Sequence, residues 1–224
     1  MAAARRPLFY GLCLLIGSLL FGIAGLQHPF MQGDGAAQLQ LIAATPAWRT
    51  IHWSLLFGFP LMLAGVLGVV ARHLDTPGAT MARAGAVMTA FGFLIWMVNV
   101  LFMVGAGWQL SQAYVGSDPV GLIATHAVFL YDMLHPVGLA AERLATFTMG
   151  LALYFFGWAL WNGKTYPRWN ALLAFFAGAV SLVVGLLFPA TSQMLYYAQG
   201  LVLVWLGVTG VVMLAPSPGP VSGP

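Results

Sequence analysis

The residues of this chain that could do chemistry crowd into one stretch, ATHAVFLYDMLHPVGLAAERLATF, residues 124–147. It holds His126, Asp132, His135, Glu142 and Arg143 in a protein in which only 6% of positions are charged. Neutral imidazoles and a carboxylate suit iron, zinc or copper, the carboxylate either binding directly or orienting a ring through its N–H. Two imidazoles that face each other could instead hold a b-type haem.

Spacing narrows the set. Asp132 and His135 lie three residues apart and share a face on a helix. Glu142, seven further on, continues that face if the helix survives Pro136 and Gly138, where a kink or restart is expected. His126 lies nine residues before His135, half a turn out of phase, so a regular helix cannot bring both to one site. Two more histidines belong to the same end of the molecule: His28 after the first apolar run, and His52 in WRTIHW at the start of the second. The cofactor-binding candidates are therefore His28, His52 and His135, with Asp132 and Glu142 in support; the wider metal-ligating set adds His126. A plainer reading stands beside this one. Histidines at helix ends are ordinary interfacial residues, Glu142 and Arg143 could form a local ion pair, and Asp132 could cap a helix or pair with Arg49. Met31, Met97, Met103, Met133 and Met194 could favour Cu(I), although methionine in an apolar bundle is usually core filler.

The elements that must position these groups are apolar helices. Hydrophobic residues make up 61% of 224, too many for a water-soluble surface, which needs roughly a quarter charged. A helix crossing hydrocarbon needs about 20 mostly apolar residues. Six such runs occur, at 8–27, 51–71, 84–106, 138–162, 169–188 and 194–214. The first follows Arg5 and Arg6 but is too long for a signal h-region and has no clear cleavage site, so it is expected to remain as a helix. The run 120–136 is ambiguous. As a seventh span it would leave five basic residues inside and three outside; as an outer-face element it leaves Arg5, Arg6, Arg72, Arg83, Lys164 and Arg168 inside against Arg49 and Arg143 outside. The positive-inside rule selects the second arrangement, with both termini cytoplasmic in the inner (plasma) membrane. The expected fold is all-α: an integral membrane bundle of six transmembrane helices with an extra outer-face helical segment. It forms one domain over 1–215, followed by a flexible Pro/Gly/Ser tail over 216–224.

On this topology four of the five histidines and four of the five acidic residues are extracytoplasmic, His73 and Asp75 being the exceptions. Asn99 falls in the outer half of the third span, where it is expected to bond to a neighbouring helix. Small residues such as Ala64 and Gly68, or Ala174 and Gly178, suit close helix packing. The single cysteine, Cys13, excludes an intrachain disulfide or a cysteine-based metal cluster. No basic run points to nucleic acid, and no P-loop, HExxH, GxSxG or CxxCH motif is present.

The stretch GDGAAQLQLIAATPAWRTIHWSLLFGFPLMLAGVLGVVARH, residues 33–73, resembles a pattern in small multi-pass bacterial membrane proteins of unknown function, in which a GD turn and an Ala-rich segment precede the second helix. WNGKTYPRWNALLAFFAGAV is similar to the same proteins. The resemblance implies an integral membrane fold and no particular activity. The six-helix haem proteins of the cytochrome b561 type need paired histidines inside the spans on both sides, whereas here the histidines gather near one face.

Three readings of function follow. The first is a protein that binds a transition metal or b-type haem in its outer cap, for electron transfer or sensing. The second is a non-catalytic subunit packed against other membrane subunits in the lipid bilayer. The third is a small permease, which the lack of internal repeats and of mid-span charges disfavours.

Overall fold

A computed structural model describes residues 2–215 of the chain, with side chains from Leu8 onward; the expected tail over 216–224 lies outside the described residues. Every regular element among them is helical. In chain order they are α1 (Ala2–Gln27), α2 (Gly35–Ala44), α3 (Trp48–His73), α4 (Ala79–Phe102), a π-helical turn (Met103–Gly107), α5 (Trp108–Val115), α6 (Leu122–Gly163), α7 (Arg168–Leu187) and α8 (Gln193–Leu214). Six helices are long and apolar enough to cross a membrane, with α4, the π turn and α5 counted as one. Their outward faces carry large apolar side chains, such as Phe57, Phe91 and Leu172, which suit a lipid environment.

The six long helices close into a ring. α1 packs between α3 and α8, α6 between α4 and α7, and the α3–α4 and α7–α8 contacts complete the circuit. Aromatic side chains fill the interior: Phe21 meets Phe59 edge to face at 5.1 Å, and Phe156 stacks on Trp205 at 5.3 Å. Where lipid solvates apolar side chains as well as a neighbouring helix does, close backbone approach supplies much of the attraction. Gly178 sits against Gly150, and a Cβ added at Gly150 would lie 2.7 Å from the Leu182 nitrogen. Gly68 packs on Tyr10 and Ala174 is buried, but at the α1–α3 crossing it is Gly65, not the half-buried Ala64, that meets Leu14.

Where 120–136 meets 138–162, the structure departs from the sequence expectation. There is no break at Pro136: α6 runs unbroken for 42 residues with that proline in its interior. At ~1.5 Å per residue this is roughly 60 Å, about twice the ~30 Å thickness of bilayer hydrocarbon. An internal proline costs about 3 kcal/mol through a lost hydrogen bond and a ring clash. Both halves of α6 have packing to set against that cost. Before the proline, Ala127 and Tyr131 join Leu39, Ile42, Trp48 and Met103 in a small separate core with α2. After it, Ala145, Met149 and Leu153 enter the main core. The Pro136 ring lies on an exposed face, and Gly138 on the buried face leaves room for Asn99.

The turn before α2 follows its residue types. Gly33 adopts φ +83°, which favours glycine, and Asp34 then caps α2 by accepting from the Ala37 N–H at 2.9 Å.

Gly150→Val should overpack the α6–α7 crossing and cost about 1–3 kcal/mol. Gly22→Ala, at a helical position with nothing within 4 Å, should be neutral or stabilise by up to about 1 kcal/mol. Thermal melts of the two variants in detergent, followed by circular dichroism, should move in these different ways; equal melting points would contradict the packing described here.

Candidate functional site

The two ends of the ring differ in polarity. One end holds Arg72, Lys164 and Arg168, with His73 in a closed network. His73 Nδ1 bonds to the Val69 carbonyl at 2.7 Å, its Nε2 lies 2.8 Å from Thr165 Oγ1, and its ring stacks on Tyr166. Arg72 sits over the same tyrosine and donates to the Met213 carbonyl at 3.0 Å. Burial pushes the Tyr166 phenol up to about 12, against the opposing pull of Arg72. Both nitrogens of His73 are thereby used, and this cluster ties the 164–167 turn to α3.

The opposite end holds a cavity of about 110 Å³. One water needs ~10–15 Å³ in this measure, so there is room for several waters or one small molecule. His28, His52, His135 and Glu142 all line it, together with Asn99, Gln199 and Gln38. Four of the six residues singled out from sequence therefore meet at one place. The other two do not. His126 is exposed on the far side of α6, as the nine-residue spacing requires. Asp132 is exposed as well, its carboxylate lying against Gly35 at the start of α2 and not beside Arg49, where it meets the positive end of that helix's dipole.

The imidazoles are oriented by backbone carbonyls. His52, 2% exposed, donates from Nδ1 to the Trp48 carbonyl one turn earlier at 2.8 Å. His28 makes the same bond to the Pro29 carbonyl at 2.8 Å. Each ring then keeps Nε2 as an acceptor. The rings meet edge to face at 5.1 Å, and Trp48 packs on both, at 5.0 Å from His28 and 4.3 Å from His52. Trp48 also donates from Nε1 to the Met103 carbonyl at 3.0 Å, joining this cluster to the π-helical turn, a feature common at functional sites. His135, 7% exposed, stacks on Tyr131 at 4.7 Å, and the Tyr131 hydroxyl donates to Gln38 at 2.9 Å.

Glu142, 8% exposed, sits deeper. Asn99 Nδ2 of α4 donates to one carboxylate oxygen at 3.0 Å, and Gln199 Nε2 of α8 donates to the other at 2.9 Å. Gln199 also donates to Thr146 at 3.2 Å. The expected ion pair with Arg143 does not form: that guanidinium turns the other way and donates to the Gly185 and Leu186 carbonyls at the end of α7. Helix geometry is the cause, since successive residues point about 100° apart and Arg143 faces α7 when Glu142 faces inward. His135 and Glu142 share the inward face because α6 is continuous.

His28 and His52 meet edge to face, and the cavity is well below the ~300–1,000 Å³ that encloses a drug-sized ligand. Among the described residues, no three of the His, Cys, Asp and Glu side chains come close enough to hold a metal ion.

Sequence reasoning passed over Gln199 and Gln38. Gln199 did leave a signal, an amide within the apolar run YYAQGLVLVW, where a polar side chain needs a partner. Gln38 left none, because its position at the cavity depends on how α2 docks. No known protein family, curated protein or solved structure matches the chain.

Replacing Gln199 by Leu should leave one Glu142 oxygen without its donor and cost about 1–3 kcal/mol, read as a lower melting point. Replacing Glu142 by Leu in that background should recover part of the loss. A second prediction concerns pH. Burial holds the His28 imidazole below its ordinary range, opposed in part by the bond to Pro29. Below roughly pH 6.5 an unfolded His28 binds a proton that the folded residue resists, so its contribution to stability falls as pH drops. His28→Gln should therefore lose less stability between pH 7 and pH 5 than the parent; identical slopes would remove His28 from this role.

Proposed function

We propose that this protein is a six-span integral membrane protein of the inner (plasma) membrane, and that its polar cavity binds a small ligand at the extracytoplasmic side, for sensing or solute handling. The observation that carries the reading is Glu142, a buried carboxylate held, among the described residues, by two amides at a cavity that three histidines also line. Ionisable groups are costly in a bundle of this kind and are found mainly where they serve a binding site or pathway. The imidazoles support the same reading, since His28 and His52 each keep an unused ring nitrogen.

Orientation follows from charge. Arg72, Arg83, Lys164 and Arg168 lie at the end where α1 begins, and Arg49 and Arg143 at the other, so the positive-inside rule puts the cavity outside and both termini in the cytoplasm. The small core formed by α2, α5 and the first part of α6 then stands as an outer cap above the spans.

The test is a thermal-shift panel on the protein purified in mild detergent, with an absorption spectrum and elemental analysis of the same sample. The panel contains copper, iron and zinc salts, small amines, and small neutral amides and alcohols. At least one member should raise the melting point saturably, and His135→Ala should weaken that shift. A flat panel on a folded, colourless, metal-free protein would overturn the binding reading and favour a structural subunit.

A further inference from the structure

The polar lining of the cavity centres on a carboxyl. Glu142 brings a carboxylate, and a carboxylate offers about four acceptor positions, of which Asn99 and Gln199 use two. His28 and His52 each have Nδ1 tied to a backbone carbonyl, which leaves Nε2 as an acceptor. No Lys or Arg among the described residues counterbalances the carboxylate: its partners are the two amides, and Arg143 is held at the end of α7. Aromatic faces complete the wall. Phe21 and Trp96 pack together at 4.8 Å, and Phe30 meets the part-exposed Tyr196 at 5.7 Å.

An aromatic-walled cavity that holds a buried carboxyl without a basic partner among the described residues is complementary to one class of ligand, a small cation that carries N–H donors. An anion would meet a carboxylate, and a neutral ligand would supply that group no counter-charge. A bare alkali ion would need a shell of oxygen ligands, and imidazole nitrogen and aromatic carbon are poor substitutes. A protonated amine donates to the carboxylate, and it sits favourably against aromatic rings. The volume of about 110 Å³ restricts the amine to a few heavy atoms.

Resting on the binding function proposed above, we infer that the ligand is a small primary ammonium ion, with Glu142 as its counter-charge and Trp96 and Tyr196 as the aromatic wall.

The test uses the full chain in detergent and follows tryptophan fluorescence and calorimetric heat during titration with methylammonium chloride. Sodium chloride at matched ionic strength, tetramethylammonium chloride and neutral acetamide are titrated alongside. Methylammonium should bind saturably, tetramethylammonium, which has no N–H, at least about tenfold more weakly, and sodium not at all. Glu142→Gln should weaken methylammonium binding by about tenfold or more, since it removes one partner of a buried charge pair. Asp75→Asn removes the same charge from an exposed position at the opposite end and should change nothing. If Glu142→Gln does not fold, Glu142→Asp, which keeps the charge but moves it by one methylene, should weaken methylammonium binding measurably while sodium remains inert. Methylammonium binding at full strength in either Glu142 variant, or equal binding of tetramethylammonium, would overturn the proposal. A metal or neutral compound that binds where methylammonium does not would overturn this inference and leave the binding function standing; if nothing binds, both fall.

Discussion

A carboxylate buried among apolar helices must find its hydrogen bonds on the spot, and in this molecule that constraint links three elements far apart in the chain. Glu142 on α6 accepts from Asn99 on α4 and Gln199 on α8, and Gln199 reaches on to Thr146. These helices belong to different parts of the ring, so the relative position of α4, α6 and α8 is tied to one side chain. Polar contacts between helices are worth about 1–2 kcal/mol at most in an apolar medium, less than the summed close packing of glycines and aromatics around them. What they add is specificity: only one rotation of each helix brings both amides to the same carboxylate.

The continuity of α6 through Pro136 has an equal share in the site. A break there would have turned His135 away from Glu142 and left the first part of the helix free to lie elsewhere. Instead the proline ring is exposed, Gly138 clears space for Asn99 on the other face, and the helix extends to build the small core with Trp48, Leu39 and Met103. Trp48 then joins three features that are separate in sequence, through its packing on His28, the bond its carbonyl accepts from His52, and its own bond to the π-helical turn. The cavity is the space left between the deep carboxylate and this aromatic and imidazole cluster.

The two ends of the ring show how the same residue type takes different roles. His73 has both nitrogens bonded and a tyrosine stacked on its face, which leaves it nothing to offer a ligand. His28 and His52 each have one nitrogen tied and one left over, and His135 is held mainly by ring stacking. The difference comes from the second nitrogen's neighbourhood. At the His73 end a loop threonine reaches the ring; at the other end an open cavity lies where that partner would be.

Much of the fold was legible in the chain itself. Six apolar runs, with basic residues gathered at one set of ends, dictate six long helices and an asymmetric distribution of histidine and acid, because the cost of exposing polar backbone and charge to an apolar medium acts locally on each segment. The seven-residue spacing of His135 and Glu142 likewise implied a shared face, and the nine-residue spacing put His126 on the other side. Whether α6 survived its proline was not legible, since the answer depends on packing supplied by α2, α4 and α7. Nor could the sequence place Asp132 against α2, turn Arg143 towards α7, or bring Gln199 and Gln38 to the cavity. Those outcomes rest on contacts between residues tens of positions apart, and only the assembled ring of helices decides them.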